Sequence, residues 1–170
     1  MNPTPSGRLI RTPEGRDLVL IRTFRAPIDD VWASITEPER TARWFGAWTG
    51  RGGPGSRIRY SMAFEEGAPE SEMNIEACEP PRHLAVRGVD DFGGWFLEVH
   101  LSEAAGVTEL RFTHHLDAAV NVGDVGPGWE YYLDNLVASR DGTAMPSFSD
   151  YYPSQKEYYL ALEAEPAASS

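Results

Sequence analysis

Residues 124–140 read DVGPGWEYYLDNLVASR and are followed directly by Asp141-Gly142. The apolar residues of this stretch recur at spacings of three and four: Val125, Trp129, Tyr132, Leu133, Leu136 and Val137. That spacing places them on one wide stripe of a helix, and a glycine directly after the stripe is a common helix stop. The sequence therefore predicts a long amphipathic helix from Asp124 to Arg140.

Four stretches upstream of this helix alternate between apolar and polar residues. Strict alternation is typical of β-strands that bury one face. The apolar positions are Ile58, Tyr60, Met62 and Phe64; Met73, Ile75 and Ala77; Trp95, Leu97, Val99 and Leu101; and Leu110, Phe112, His114 and Leu116. A sheet with one apolar face needs a cover, and the long helix is the predicted element of adequate size.

The last two of these strands are predicted to pair as an antiparallel hairpin. A four-residue loop, residues 103–106, would place Leu97 opposite Phe112 and keep both apolar faces on one side. The same register would place Glu98 opposite Arg111 on the other face, where opposite charges are favourable.

The remaining elements are shorter, and one of them is a strand that opens at Leu84-Ala85-Val86, after Pro80-Pro81 closes the strand before it. Residues 18–24 are rich in β-formers and predict a strand. The strand ends before Pro27, which suits the first turn of a first short helix. A capping box at residues 36–39 predicts a second short helix running to about Phe45. A final helix is expected from Ser154 to Glu163. This order, with antiparallel strands followed by a long helix, predicts an α+β protein.

The length, charge and cysteine content of the chain exclude or disfavour several classes of protein. The chain has 170 residues, which suits one domain, and its single cysteine, Cys78, excludes an intramolecular disulfide. A formal charge of −11 disfavours binding to nucleic acid or to an anionic membrane surface. We find neither an apolar run long enough to span a membrane nor a secretory signal at the start, so we expect a cytoplasmic protein.

Several local sequences resemble the SRPBCC, or START-like, superfamily, and within it the branch named for the activator of the heat-shock-protein-ninety ATPase. The similar segments are residues 24–32 (FRAPIDDVW), 36–40 (TEPER), 43–45 (RWF), 79–82 (EPPR), 109–114 (ELRFTH), 128–129 (GW) and 132–136 (YLDNL). The resemblance as a whole covers about residues 16–142.

The resemblance implies a helix-grip fold, in which a curved antiparallel sheet of about six or seven strands wraps round a long C-terminal helix. Two short helices follow the first strand. We accordingly expect a flexible tail at residues 1–7, a START-like domain at 8–142 and a C-terminal extension at 143–170. The extension would carry a short helix and a mobile end, residues 166–170.

The resemblance also implies a choice of functions, because members carry apolar molecules, act as enzymes such as cyclases, or serve as co-chaperones in stress responses. Our leading expectation is a small apolar or aromatic ligand held in an internal hydrophobic cavity; a fully packed core is the alternative. The expected lining is Phe45, Trp48, Tyr60, Met62, Phe64, Met73, Trp95, Leu97, Phe112, His114, Trp129, Tyr132, Leu133 and Leu136. A second hypothesis is a protein-interaction domain whose partner is a chaperone or another protein.

His114 is the one ionisable group placed on the inner face, and it leads to a third hypothesis. It could serve as a general base in a cyclase or hydrolase, together with Tyr60 or Tyr132, or it could be a hydrogen-bonded core histidine. The four histidines match no metal-binding spacing along the chain, and no cofactor motif is present. We therefore expect no metal and no cofactor.

Overall fold

A computed structural model describes residues 2–90 and 93–165. The strands are β1 (Arg8–Thr12), β2 (Gly15–Phe24), β3 (Trp48–Thr49), β4 (Arg57–Ser61), β5 (Glu70–Glu79), β6 (His83–Asp90), β7 (Gly93–Ala104) and β8 (Val107–Leu116). The helices are α1 (Ile28–Thr36), α2 (Pro38–Thr41), α3 (Val122–Asp141) and α4 (Lys156–Ala164), with a 3₁₀ turn at Phe148–Asp150. The mobile end predicted for residues 166–170 lies outside the described residues.

Within the described chain, eight strands form one open antiparallel sheet in the order β1-β2-β8-β7-β6-β5-β4-β3. The predicted α+β class, with one sheet, short helices and a long C-terminal helix, is confirmed. Two strands were not predicted from sequence. β1 is a mostly exposed edge strand without an apolar alternation, and β3 has only two residues, so neither produces a periodic signal.

The long helix is present and starts two residues earlier than predicted. The side chain of Asn121 caps it by accepting a hydrogen bond from the amide of Gly123 at 2.8 Å. It ends where Gly142 adopts a left-handed conformation with φ of 69°. The short helix α2 ends at Thr41, before the predicted end near Phe45.

The predicted register of the β7–β8 hairpin was wrong by two residues. The turn contains only Ala105 and Gly106, whose φ angles are both positive, 52° and 77°. Two-residue turns of this kind match the right-handed twist of the flanking strands, so they are favoured over longer loops. Leu97 consequently lies opposite His114. Because the shift is even, every side chain remains on its predicted face.

The main buried cluster joins the sheet to α1 and α3. It contains Leu18, Leu20, Phe24, Ile28, Val31, Ile35, Leu101, Leu110, Phe112, Leu116, Val122, Leu133, Leu136 and Tyr159. Burying this much aliphatic and aromatic surface is the principal stabilising contribution to the fold. No helix among the described residues is both long and apolar enough to cross a bilayer.

A buried carboxylate on α3 connects distant segments of the chain. Glu130 is only 1% exposed. It accepts hydrogen bonds from the Ser6 amide at 2.5 Å, Tyr159 Oη at 2.6 Å and Arg22 Nη2 at 2.8 Å. Ser6 and Gly7, which were expected to belong to a flexible tail, thus both contact this carboxylate.

Candidate functional site

A small apolar cavity of about 200 Å³ lies between α3, the end of α1 and the inner face of the sheet. Eight of the residues predicted for the cavity line it: Phe45, Trp48, Met73, Leu97, Phe112, Trp129, Leu133 and Leu136. Strand alternation turns Leu97 and Phe112 inward, and helical spacing turns Leu133 and Leu136 toward them. We call this space the inner cavity.

A second and larger space of about 1100 Å³ adjoins it and is called here the outer pocket. Its lining includes the six other predicted residues, Tyr60, Met62, Phe64, Trp95, His114 and Tyr132. The structure therefore brings every predicted lining residue to one of two spaces rather than to a single one. Four of them, Phe45, Met73, Leu97 and Trp129, border both spaces and form what we call the partition.

Aromatic contacts hold the partition in place. The ring centroid of Phe45 lies 5.3 Å from that of Tyr132 and 5.6 Å from that of Tyr60. The Trp129 ring lies 4.4 Å from Phe112 and 6.0 Å from Tyr132. Tilted and edge-to-face pairs at these separations stabilise one another beyond simple burial. The two spaces are therefore separated by side chains that pack together.

One polar point of the outer pocket is the pair Tyr132 and Glu65. The Tyr132 phenol donates a hydrogen bond to Glu65 at 2.6 Å. Burial, and then the neighbouring Glu65 carboxylate, raise the pKa of Tyr132, so its phenol stays protonated. Sequence reasoning missed Glu65 because it lies between β4 and β5, outside any periodic segment.

A second polar group of the outer pocket is His114. The Trp129 indole donates to His114 Nδ1 at 3.1 Å. Burial is the main cause that lowers the pKa of His114 to about 4, with a smaller contribution from the neighbouring His115. At neutral pH the ring is uncharged, and because Nδ1 accepts a hydrogen bond its single proton is on Nε2.

This arrangement weakens the case for His114 as a general base. A group with a pKa near 4 has little affinity for a proton at pH 7, and one of its two nitrogens is already occupied. The phenol of Tyr132, one of the two predicted tyrosine partners of His114, donates to Glu65 instead. The geometry matches the alternative expectation, a hydrogen-bonded histidine of the interior.

Trp48 and its neighbour Trp44 are fixed to the end of α1. Trp48 Nε1 donates to the Thr36 carbonyl at 2.8 Å, and Trp44 Nε1 donates to the Ser34 carbonyl at 2.9 Å. Both rings line the inner cavity. The side chains of this loop thus form part of the cavity wall.

The carboxylate side chains that line the outer pocket give it an acidic character. Sequence reasoning did not assign Glu65, Glu66, Asp117 or Asp124 to it. Among the described residues that line this pocket, none is lysine or arginine. The pocket therefore presents an aromatic surface with hydrogen-bond acceptors and negative charge.

Solved structures of similar fold cover between 81% and 98% of the chain. CalU16 from Micromonospora echinospora is 27% identical, with a TM-score of 0.75 over 95% of this chain and 98% of that chain. The BPP1335 protein from Bordetella parapertussis is 23% identical, with a TM-score of 0.70 over 98% and 95%. DynU16, from the dynemicin biosynthetic locus, is 22% identical, with a TM-score of 0.65 over 81% and 50%.

The sequence was also compared with curated proteins and with models of protein families. Among curated protein sequences, none is significantly similar to the chain. The model of the Activator of Hsp90 ATPase homolog 1-like protein family matches residues 25–139, more than half of the sequence and most of the region in which the resemblance was found. The chain therefore belongs to the Activator of Hsp90 ATPase homolog 1-like protein family.

Proposed function

We propose that the protein binds a small, flat, mainly apolar molecule in the outer pocket. The observation that supports this most strongly is a space of about 1100 Å³ lined by many aromatic side chains, with polar groups that include the Tyr132–Glu65 pair and His114. Pockets for small molecules are mostly apolar, have volumes of about 300–1000 Å³ and contain a few placed polar groups. The inner cavity, at about 200 Å³, is too small to hold such a ligand alone.

The charge of the lining narrows the class of ligand. Glu65 and Glu66 border the outer pocket, and the lining residues that the structure describes include no cationic side chain. An anionic ligand would lose its hydration there without gaining a counter-charge. The proposed ligand is therefore neutral or cationic, with a hydrogen-bond donor directed to the Glu65 carboxylate.

The inner cavity extends this site. Phe45, Met73, Leu97 and Trp129 are shared by both spaces, so a rotation of one of these side chains would join them. Met73 is the most adaptable of the four because an unbranched thioether side chain has three rotatable bonds. An apolar end of the ligand would then enter the inner cavity, and its polar end would remain near Tyr132.

Gly128 offers a direct test of the proposal. It lies on α3 at the wall of the outer pocket, and a Cβ added there meets no atom within 4 Å. Gly128→Phe should therefore place an aromatic ring inside the pocket without disturbing the backbone, whereas Gly128→Ala adds only one methyl group. Fluorescence titration with the neutral dye Nile red and the anionic dye anilinonaphthalene sulfonate gives the readout.

We expect wild type and Gly128→Ala to bind Nile red equally, and Gly128→Phe to bind it at least about tenfold more weakly, about 1.4 kcal/mol. The anionic dye should bind wild type more weakly than Nile red does. The proposal is wrong if wild type binds neither dye, or if Gly128→Phe binds Nile red as tightly as wild type.

A further inference from the structure

Three side chains with metal-binding donors converge on the outer face of the sheet, away from the interior. Glu98 and His100 are two residues apart on β7 and so project from the same face. His83 on β6 lies directly opposite His100 in the strand register. The two imidazole rings stack, with centroids 4.3 Å apart and an interplanar angle of 13°. One donor atom from each of the three residues lies within 4.8 Å of the others.

The other donor atoms of this cluster are held by neighbouring residues. His83 Nδ1 lies 3.4 Å from a Glu79 carboxylate oxygen, which leaves Nε2 directed toward Glu98 Oε1 at 2.8 Å. The second oxygen of Glu98, Oε2, lies 2.6 Å from His115 Nε2. Asp17 in turn holds His115 Nδ1 at 2.8 Å.

Partners of this kind are what metal sites require around their ligands. A ligating histidine usually gives its second nitrogen to a carboxylate, and a ligating carboxylate is itself hydrogen-bonded. Glu79 is the carboxylate beside the second nitrogen of His83, and His115 is the hydrogen-bonding partner of the Glu98 carboxylate. Glu79 and His115 are thus positioning residues rather than ligands.

We propose that His83, Glu98 and His100 form a binding site for a divalent transition-metal ion, with Zn²⁺ as the best match. Two imidazoles and one carboxylate are a common zinc ligand set, and three protein ligands leave one position open to solvent. The ion would take the place of the proton between His83 Nε2 and Glu98 Oε1. Tetrahedral binding requires donor separations of about 3.4 Å, for bond lengths of about 2.1 Å. His100 is exposed and can rotate to close that distance.

Access to this site comes from the surface. His100 is exposed, and a groove of about 430 Å³ reaches the cluster at Glu98. The expectation of no metal site rested on spacing along the chain, whereas His83 and His100 are brought together only by pairing of β6 with β7. Leu84 and Leu97, next to two of the ligands, line the inner cavity. A bound ion would therefore crosslink β6 and β7, two strands of the wall of the inner cavity.

The test is a zinc titration of the full chain, prepared without a polyhistidine tag. Competition with a chromogenic chelator gives stoichiometry and affinity, and a thermal melt with and without Zn²⁺ shows whether the folded state is the one that binds. We expect one Zn²⁺ per chain and a higher Tm with Zn²⁺. His83→Ala and His100→Ala should abolish both effects.

Two further variants separate ligands from nearby charge. Glu98→Gln should abolish stoichiometric Zn²⁺ binding. Glu109 is an exposed carboxylate on β8 outside the cluster, so Glu109→Gln should bind Zn²⁺ as wild type does. His115→Gln should weaken binding by about 10–100-fold, the usual effect of losing a positioning residue. Absence of one-to-one binding by wild type would overturn the proposal, and so would unchanged binding by His100→Ala.

Discussion

At the scale of single residues, His114 couples folding to pH. Its folded-state pKa of about 4 lies below the ordinary value of 6.5. Between these values the unfolded chain binds a proton and the folded chain does not, so the free energy of unfolding falls as the pH decreases through this window. The free energy of unfolding above about pH 6.5 exceeds that below about pH 4 by at most about 3 kcal/mol on account of His114.

Replacing His114 by glutamine should remove this dependence. Urea unfolding of wild type and His114→Gln at pH 7.5, 5.5 and 4.5 measures it. We expect the difference in stability between the two proteins to shift in favour of the variant as the pH falls, by up to about 3 kcal/mol. Parallel pH profiles for the two proteins would show that His114 is not the responsible group.

At the scale of elements, close packing of α4 on α3 depends on a glycine. A Cβ added at Gly126 would lie 2.5 Å from the ring of Tyr159, which is completely buried. The ring cannot move aside because its hydroxyl donates to Glu130. Gly128, two residues further along α3, faces open space instead.

Gly126→Ala and Gly128→Ala are thus a matched pair on one helix. Overpacking should make Gly126→Ala less stable by about 1–3 kcal/mol. Gly128→Ala should gain up to about 1 kcal/mol because alanine has the higher helix propensity. Guanidinium denaturation monitored by circular dichroism distinguishes them, and equal stabilities for the two variants would show that α4 does not pack against α3 as described.

At the scale of the whole molecule, Glu130 joins parts of the chain that are far apart in sequence. Its carboxylate contacts the N-terminal segment through Ser6, strand β2 through Arg22 and α4 through Tyr159. A buried charge is tolerated because all these donors compensate for its lost hydration. Removing it leaves the Arg22 guanidinium with Asp134 as its carboxylate partner on α3.

Glu130→Gln should therefore destabilise the protein by about 3 kcal/mol, near the lower end for breaking a buried ion pair. Hydrogen exchange should also increase at both ends of the chain, around Gly7 and Tyr159, more than in the β7–β8 hairpin. Asp134→Asn, which alters the more exposed partner of Arg22, is the control and should cost less. Exchange that rises uniformly over the chain would contradict a linking role for Glu130.

The fold was predictable largely because its main elements have strong periodic signals. Helical spacing in residues 124–140 identified α3, and strict alternation identified the inward faces of β4, β5, β7 and β8. The exposed edge strand β1 and the two-residue strand β3 were missed because neither has enough alternating residues to form a pattern.

What the sequence alone determined is which side chains point inward, since that depends only on local backbone periods of two and 3.6 residues. For this reason the predicted residues on β4, β5, β7, β8 and α3 border one of the two spaces, whereas Phe45 and Trp48 belong to no periodic segment. Tertiary structure alone decided the hairpin register, the division of the interior by Phe45 and Trp129, and the contact between Tyr132 and Glu65. It also decided the meeting of His83 with His100 and of Ser6 with Glu130. These features depend on turn geometry and on contacts between residues distant in sequence, and a local period contains no information about either.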